Sequence, residues 1–127
     1  MSSLELRLKK AVVNAIGSGV ALRNYLPRLD IREGEFRLKQ EYGETDIIGA
    51  LIISEGIKPK TKKEGMLEYE VNAQAIIVFM KATRLSEKRA MSLIWGFDLG
   101  KGSDQMSRVG ARIRSFVNEL ESKKLMM

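Results

Sequence analysis

The sequence predicts an α+β fold: an N-terminal amphipathic helix, an antiparallel sheet of about three strands with a long projecting basic hairpin, and two C-terminal helices. Three observations predict it. Apolar residues recur at three- and four-residue spacing near both ends of the chain. Residues 67–80 alternate, with Leu67, Tyr69, Val71, Ala73, Ala75, Ile77 and Phe79 apolar between Glu68, Glu70, Asn72 and Gln74. Residues 46–54 form a continuous apolar run bounded by polar residues.

Taken in order, residues 3–16 read as a helix whose stripe is Leu4, Leu8, Ala11, Val12, Ala15 and Ile16, with Arg7, Lys10 and Asn14 off it. Ser2 and Glu5 have capping-box spacing. Gly17 and Gly19 end the helix, and a shorter helical segment is expected over 20–26, before Pro27. Residues 32–42 read as a strand, Phe36 and Leu38 alternating with Arg37 and Lys39 after the turn-prone Glu33-Gly34. The 46–54 run reads as a central strand, a buried helix being the alternative.

Residues 57–66 form a loop carrying Lys58, Lys60, Lys62 and Lys63, the basic tip of a hairpin whose second arm is 67–80. Fully extended, that arm would reach roughly 46 Å at about 3.3 Å per residue. A compact chain of this size is only ~36 Å across, so the arm is expected to project and to dock on a neighbour. The even positions of this arm turn apolar at Ile76, Val78 and Met80, as in a strand that becomes covered on both faces. Residues 85–97 read as a helix carrying Met91, Ile94 and Trp95 inward. Gly96, Gly100 and Gly102 punctuate the next connection. Residues 103–124 are the clearest helix, with Met106, Val109, Ile113, Phe116, Val117 and Leu120 on one seam and Ser103 or Asp104 as cap. The chain reads as one domain over 1–127, and its last residues, Leu125, Met126 and Met127, are apolar.

Composition narrows the function. With 127 residues, 44% hydrophobic and 30% charged, the chain has ordinary globular values. No apolar run approaches the roughly 20 residues of a membrane span, and the early acid at Glu5 argues against a signal peptide. The absence of cysteine removes disulfides and thiolate chemistry, and the absence of histidine removes imidazole bases and His-ligated zinc. No enzymatic activity, cofactor or metal is expected. A net charge of +6 favours polyanionic or acidic partners and also falls in the range that serves solubility.

Each candidate motif has a bland counterpart. The glycines at 96, 100 and 102 with Lys101 and Ser103 approximate a phosphate-binding loop, but the spacing is one residue short and a helix precedes it. Residues 48–56 resemble the helix motif of LAGLIDADG homing endonucleases, with Gly49 and Ala50 as packing residues and Glu55 as the metal-binding acid; too few residues follow for that fold. Lys58, Lys60, Lys62 and Lys63 can track phosphates, but the loop lacks base-stacking aromatics. Arg108 and Arg112, one turn apart, form either a basic face toward a polyanion or ion pairs with nearby acids. Glu68 and Glu70 are either a solvated edge or, in an assembly, partners for a neighbour's lysines around 60–63.

In layout, residues 4–16, 35–80 and 86–97 resemble phage tail-terminator and tail-completion proteins, small α+β domains with an opening amphipathic helix, a projecting hairpin and a following helix. This chain ends in a helix where that family ends in a strand. The resemblance implies a virion structural protein assembled in the host cytoplasm, a homo-oligomeric ring at the head–tail junction contacting neighbouring structural proteins. The alternative expectation is a cytoplasmic, sequence-independent DNA- or RNA-binding protein using Lys58, Lys60, Lys62, Lys63, Arg108 and Arg112.

Overall fold

The computed structural model describes residues 3–24, 27–61 and 63–125. The fold is α+β; the described residues form five helices and a small sheet component of two plus two strands. The order is α1 (Ser3–Gly17), β1 (Ala21–Leu22), β2 (Leu29–Arg32), β3 (Glu35–Leu38), β4 (Glu44–Thr45), α2 (Ile47–Ser54), α3 (Glu68–Thr83), α4 (Glu87–Leu99) and α5 (Gln105–Leu125). Among the described residues, no helix is long and apolar enough to cross a membrane.

The first helix follows its stripe: Leu8, Ala11, Val12, Ala15 and Ile16 are buried. It closes with Gly19 at φ 85°, whose N–H donates to the Ile16 carbonyl (3.0 Å), while Val20 N–H donates to Ala15 (3.0 Å). A left-handed residue with this bonding pattern satisfies the last carbonyls of a helix. Ser2, the expected cap, lies outside the described residues.

The expected helix over 20–26 is not formed. Ala21 and Leu22 instead pair in parallel with Glu44 and Thr45, and residues 25 and 26 lie outside the described set. The strand expected over 32–42 is shorter: β3 pairs antiparallel with β2, Ile31 opposite Phe36 and Leu29 opposite Leu38. Glu33 (φ 54°) and Gly34 (φ 76°) make the turn, and two central residues with positive φ give the twist that a two-residue hairpin needs.

Two larger corrections concern 46–54 and 67–80, both expected as strands and both helical. In α2, the Asp46 carboxylate accepts the Gly49 N–H at 3.0 Å, an N-cap, and every residue from Ile47 to Ile52 is buried. This short helix lies at the centre of the core, so it needs no polar side and its sequence shows no 3.6-residue contrast. In α3, Val71, Ala75, Val78 and Phe79 are buried on one side, whereas Tyr69, Ala73 and Ile77 point away from it. Apolar residues on both sides at four-residue spacing, interleaved, produce the period of two that mimics a strand. Sixteen helical residues are about 24 Å long at ~1.5 Å each, which fits within the molecule. The long hairpin is therefore absent, and residues 57–66 connect two helices.

The two C-terminal helices form as expected. Ser86 caps α4 by accepting the Arg89 N–H (3.3 Å), and Gly100 at φ 71° ends it. Asp104 caps α5: its carboxylate accepts the Ser107 N–H at 3.0 Å while the Ser107 hydroxyl accepts the Asp104 N–H at 3.1 Å. Between α4 and α5, Arg89 reaches Gln105 (3.2 Å), Leu93 meets Gly110, and the Phe97 carbonyl accepts from Arg114 Nε (3.0 Å). These contacts advance in the same direction along both helices, so residues 100–104 double back along α5. Glycines allow the close crossing: a Cβ on Gly110 would lie 2.6 Å from Phe97 N and closer still to the Leu93 carbonyl oxygen. On the other side of the crossing, a Cβ on Gly96 would lie 2.7 Å from Ser107 Cα.

Candidate interaction surface

The outward side of α3 is the least expected surface of the molecule. Tyr69 is 68% exposed, Ile77 48%, and Leu67, just before the helix, 58%. Ala73 is exposed between them, and Ile76 and Met80 border the face half-buried. Its flank carries Glu70 near the start of the helix and Lys81 near the end, so the helix is acidic in its first turn and basic in its last. Glu68 is held by Lys39 at 3.6 Å. Glu70 has no ion-pair partner among the described residues.

On α4, Trp95 (58% exposed) and Leu99 (68%) also face outward, correcting the inward placement expected for Trp95. The core side of α4 is Ala90, Leu93, Ile94 and Phe97. Met91 is half-buried between the two sides.

The basic residues singled out in the sequence have different environments. Lys58 lies 3.7 Å from Glu35. Lys60 sits against Lys81, and this like-charge contact holds the Lys81 pKa below its ordinary value. Lys62 lies outside the described residues. Lys63 and Arg108 are exposed, with no ion-pair partner among the described residues. Arg112 is spent internally: its guanidinium makes hydrogen bonds of 2.7 and 3.2 Å to the carboxylate of Glu5, fastening α5 to α1. The Arg112 bonds hold the buried Glu5 carboxyl below the usual range against the opposing effect of burial. Arg112 therefore does not join the loop lysines in one polyanion site. The residue missed by sequence reasoning is Lys81, which only a helical 68–83 brings beside Lys60.

A second cluster is polar and inward. Burial pushes the Asp46 carboxyl up to about 7 against its bond from Gly49, with nearby Asp98 adding to the rise. Asp98 is itself raised by burial and partly lowered by Arg114. Arg114 bonds Asn24, which in turn donates to the Asp98 carbonyl at 2.7 Å. Two raised carboxyls are a common catalytic signature. Here the grooves of 440 and 530 Å³ lie elsewhere, around β3, lined by Arg37, Leu38, Lys39 and Gln40. The cluster has a structural use in capping α2 and joining α4, α5 and residues 23–24. Among the described residues no group of His, Asp or Glu is placed to hold a metal ion.

Comparison of the chain with protein-family models, with curated proteins and with solved structures finds no match.

Proposed function

We propose that this protein is a non-enzymatic subunit that works by contact with other protein subunits. One observation carries the reading: α3 is apolar on the side that packs into the core and again on the side that faces out. The core accounts for only one of these two apolar sides, and clustered exposed apolar side chains mark contact sites. The resemblance to tail-completion proteins gives the reading a specific form, a homo-oligomeric ring subunit in a virion. The helices at Ser3–Gly17 and Glu87–Leu99 agree with that layout. Its projecting hairpin has no counterpart, so the assembly reading rests on α3 instead.

Polyanion binding is the second reading, favoured by the contact between Lys60 and Lys81. Two ammonium groups held together with Lys63 and Arg84 exposed nearby in sequence would accept a phosphate. Light scattering during gel filtration, at low and high salt, with and without a mixed-sequence oligonucleotide, separates the two. An oligomer that ignores DNA supports assembly; a monomer that shifts onto DNA only at low salt overturns it.

A further inference from the structure

The outward face of α3 is self-complementary, and the complementarity has a direction. Helical residues advance by about 100° each, so Glu70 and Lys81, eleven positions apart, fall roughly 20° from one another around the axis. They therefore mark the same edge of the face, one near each end. A twofold axis that makes two copies of α3 antiparallel keeps each edge on its own side and reverses the ends. Glu70 of one copy then meets Lys81 of the other, and the contact occurs twice. A parallel twofold would carry the edge to the opposite side and leave both charges unmatched.

The apolar residues fit the same register. With the axis passing over position 75, Ala73 of one copy lies opposite Ile77 of the other, a small residue against a large one. The acid delivered by the second copy also answers the unfavourable contact between Lys60 and Lys81, to which the described residues of the same chain bring no carboxylate. Symmetric, isologous pairing of this kind is the commonest way that one chain associates with itself.

We infer that α3 is a homodimer seam in which a second copy of this chain packs antiparallel, Ala73 against Ile77 and Glu70 against Lys81. The inference rests on the reading that the protein works by subunit contact, and it assigns α3 to a closed twofold pair, so a ring would need a further, head-to-tail surface.

The chain has no cysteine, so single thiols report the seam cleanly. Ala73→Cys and Ile77→Cys proteins are oxidised separately and as an equimolar mixture, and the disulfide-linked species are identified by mass. The mixed disulfide is expected to exceed the 1:2:1 proportion that random pairing gives, and each variant alone to cross-link less readily than the mixture. Charge reversal gives an independent arm: Glu70→Lys and Lys81→Glu each weaken self-association by about tenfold or more, and the double variant E70K/K81E recovers it. Same-residue disulfides in excess, or association indifferent to the charge reversals, overturn the seam. If light scattering finds an oligomer that neither arm perturbs, the seam is wrong and assembly stands on another surface. A monomer at every concentration overturns the self-association itself.

Discussion

Replacing Gly110 with alanine tests the packing of the C-terminal helices at its tightest point. The added Cβ would sit 2.6 Å from Phe97 N and nearer still to the Leu93 carbonyl oxygen. Ordinary contact begins near 3.4 Å, and both obstacles are backbone atoms of α4, which cannot rotate out of the way. The helices must therefore separate by roughly 1 Å along the crossing, loosening the fully buried Leu93, Phe97 and Ile113. Forced overpacking costs about 1–3 kcal/mol where side chains can adjust, and more where they cannot. Alanine returns up to ~1 kcal/mol over glycine in a helix interior. The expected net loss is about 3 kcal/mol, a large part of the stability of a small domain. Gly17→Ala is the control, because nothing lies within 4 Å of its new Cβ and its φ is ordinary. It should be neutral or stabilising by less than about 1 kcal/mol. Urea unfolding followed by circular dichroism gives both values from midpoints at constant slope. Gly110→Ala as stable as the parent would refute the close crossing.

Three further expectations follow from single residues. Asp46 has a folded-state pKa raised from 3.8 to about 7, so the folded protein binds more protons across that window and stability falls as pH rises through it. Asp46→Asn keeps an acceptor for the Gly49 N–H and removes the titration. Its stability advantage should be small near pH 4 and grow to at most about 4 kcal/mol by pH 8; unfolding curves that stay parallel across this range would contradict it. Glu5 has the opposite sign: lowered from 4.5 by Arg112, it contributes stability above that value that is lost as pH falls through the folded pKa. Glu5→Gln should cost about 1–2 kcal/mol at neutral pH, with the difference shrinking in acid, as thermal melts across pH would reveal. Glu33 holds a left-handed φ of 54° in the hairpin turn, and Asn is better suited there. Glu33→Asn should raise the melting midpoint, by about 0.5–1 kcal/mol of stability, despite losing the exposed 3.3 Å pair with Arg37.

What the sequence made legible was decided by contrast. The helices Ser3–Gly17 and Gln105–Leu125 each bury one stripe against a mostly polar remainder, Leu6 and Val13 of the first being exposed apolar exceptions, and their periodicity reads directly. The 46–54 segment is apolar on every side and 67–80 on two opposite sides, with Glu68, Glu70, Asn72 and Gln74 interleaved, so the helical period vanishes and a plain run or alternation remains. Two cues favoured helix over strand in 67–80. Fourteen residues exceed the usual length of a strand, about 3–10, and Val71, Ala75 and Phe79 also form a four-residue series. Asp46, three residues before Gly49, was the corresponding cap signal for α2. The basic loop was legible from composition, but its meeting with Lys81 was not, because that contact exists only once 68–83 coils. Trp95 is not legible as outward from its type alone; the spacing of Ala90, Leu93, Ile94 and Phe97 defines the core side and puts Trp95 opposite it.

Sedimentation equilibrium of the intact protein and of Ile77→Asp, over a wide range of concentration, tests the central claim most directly. The parent should rise from its 14.3 kDa chain mass toward twice that value, while Ile77→Asp stays at the chain mass and keeps its circular dichroism. A parent that remains at the chain mass throughout, or a variant that associates as well as the parent, would contradict the claim that α3 is covered by another copy.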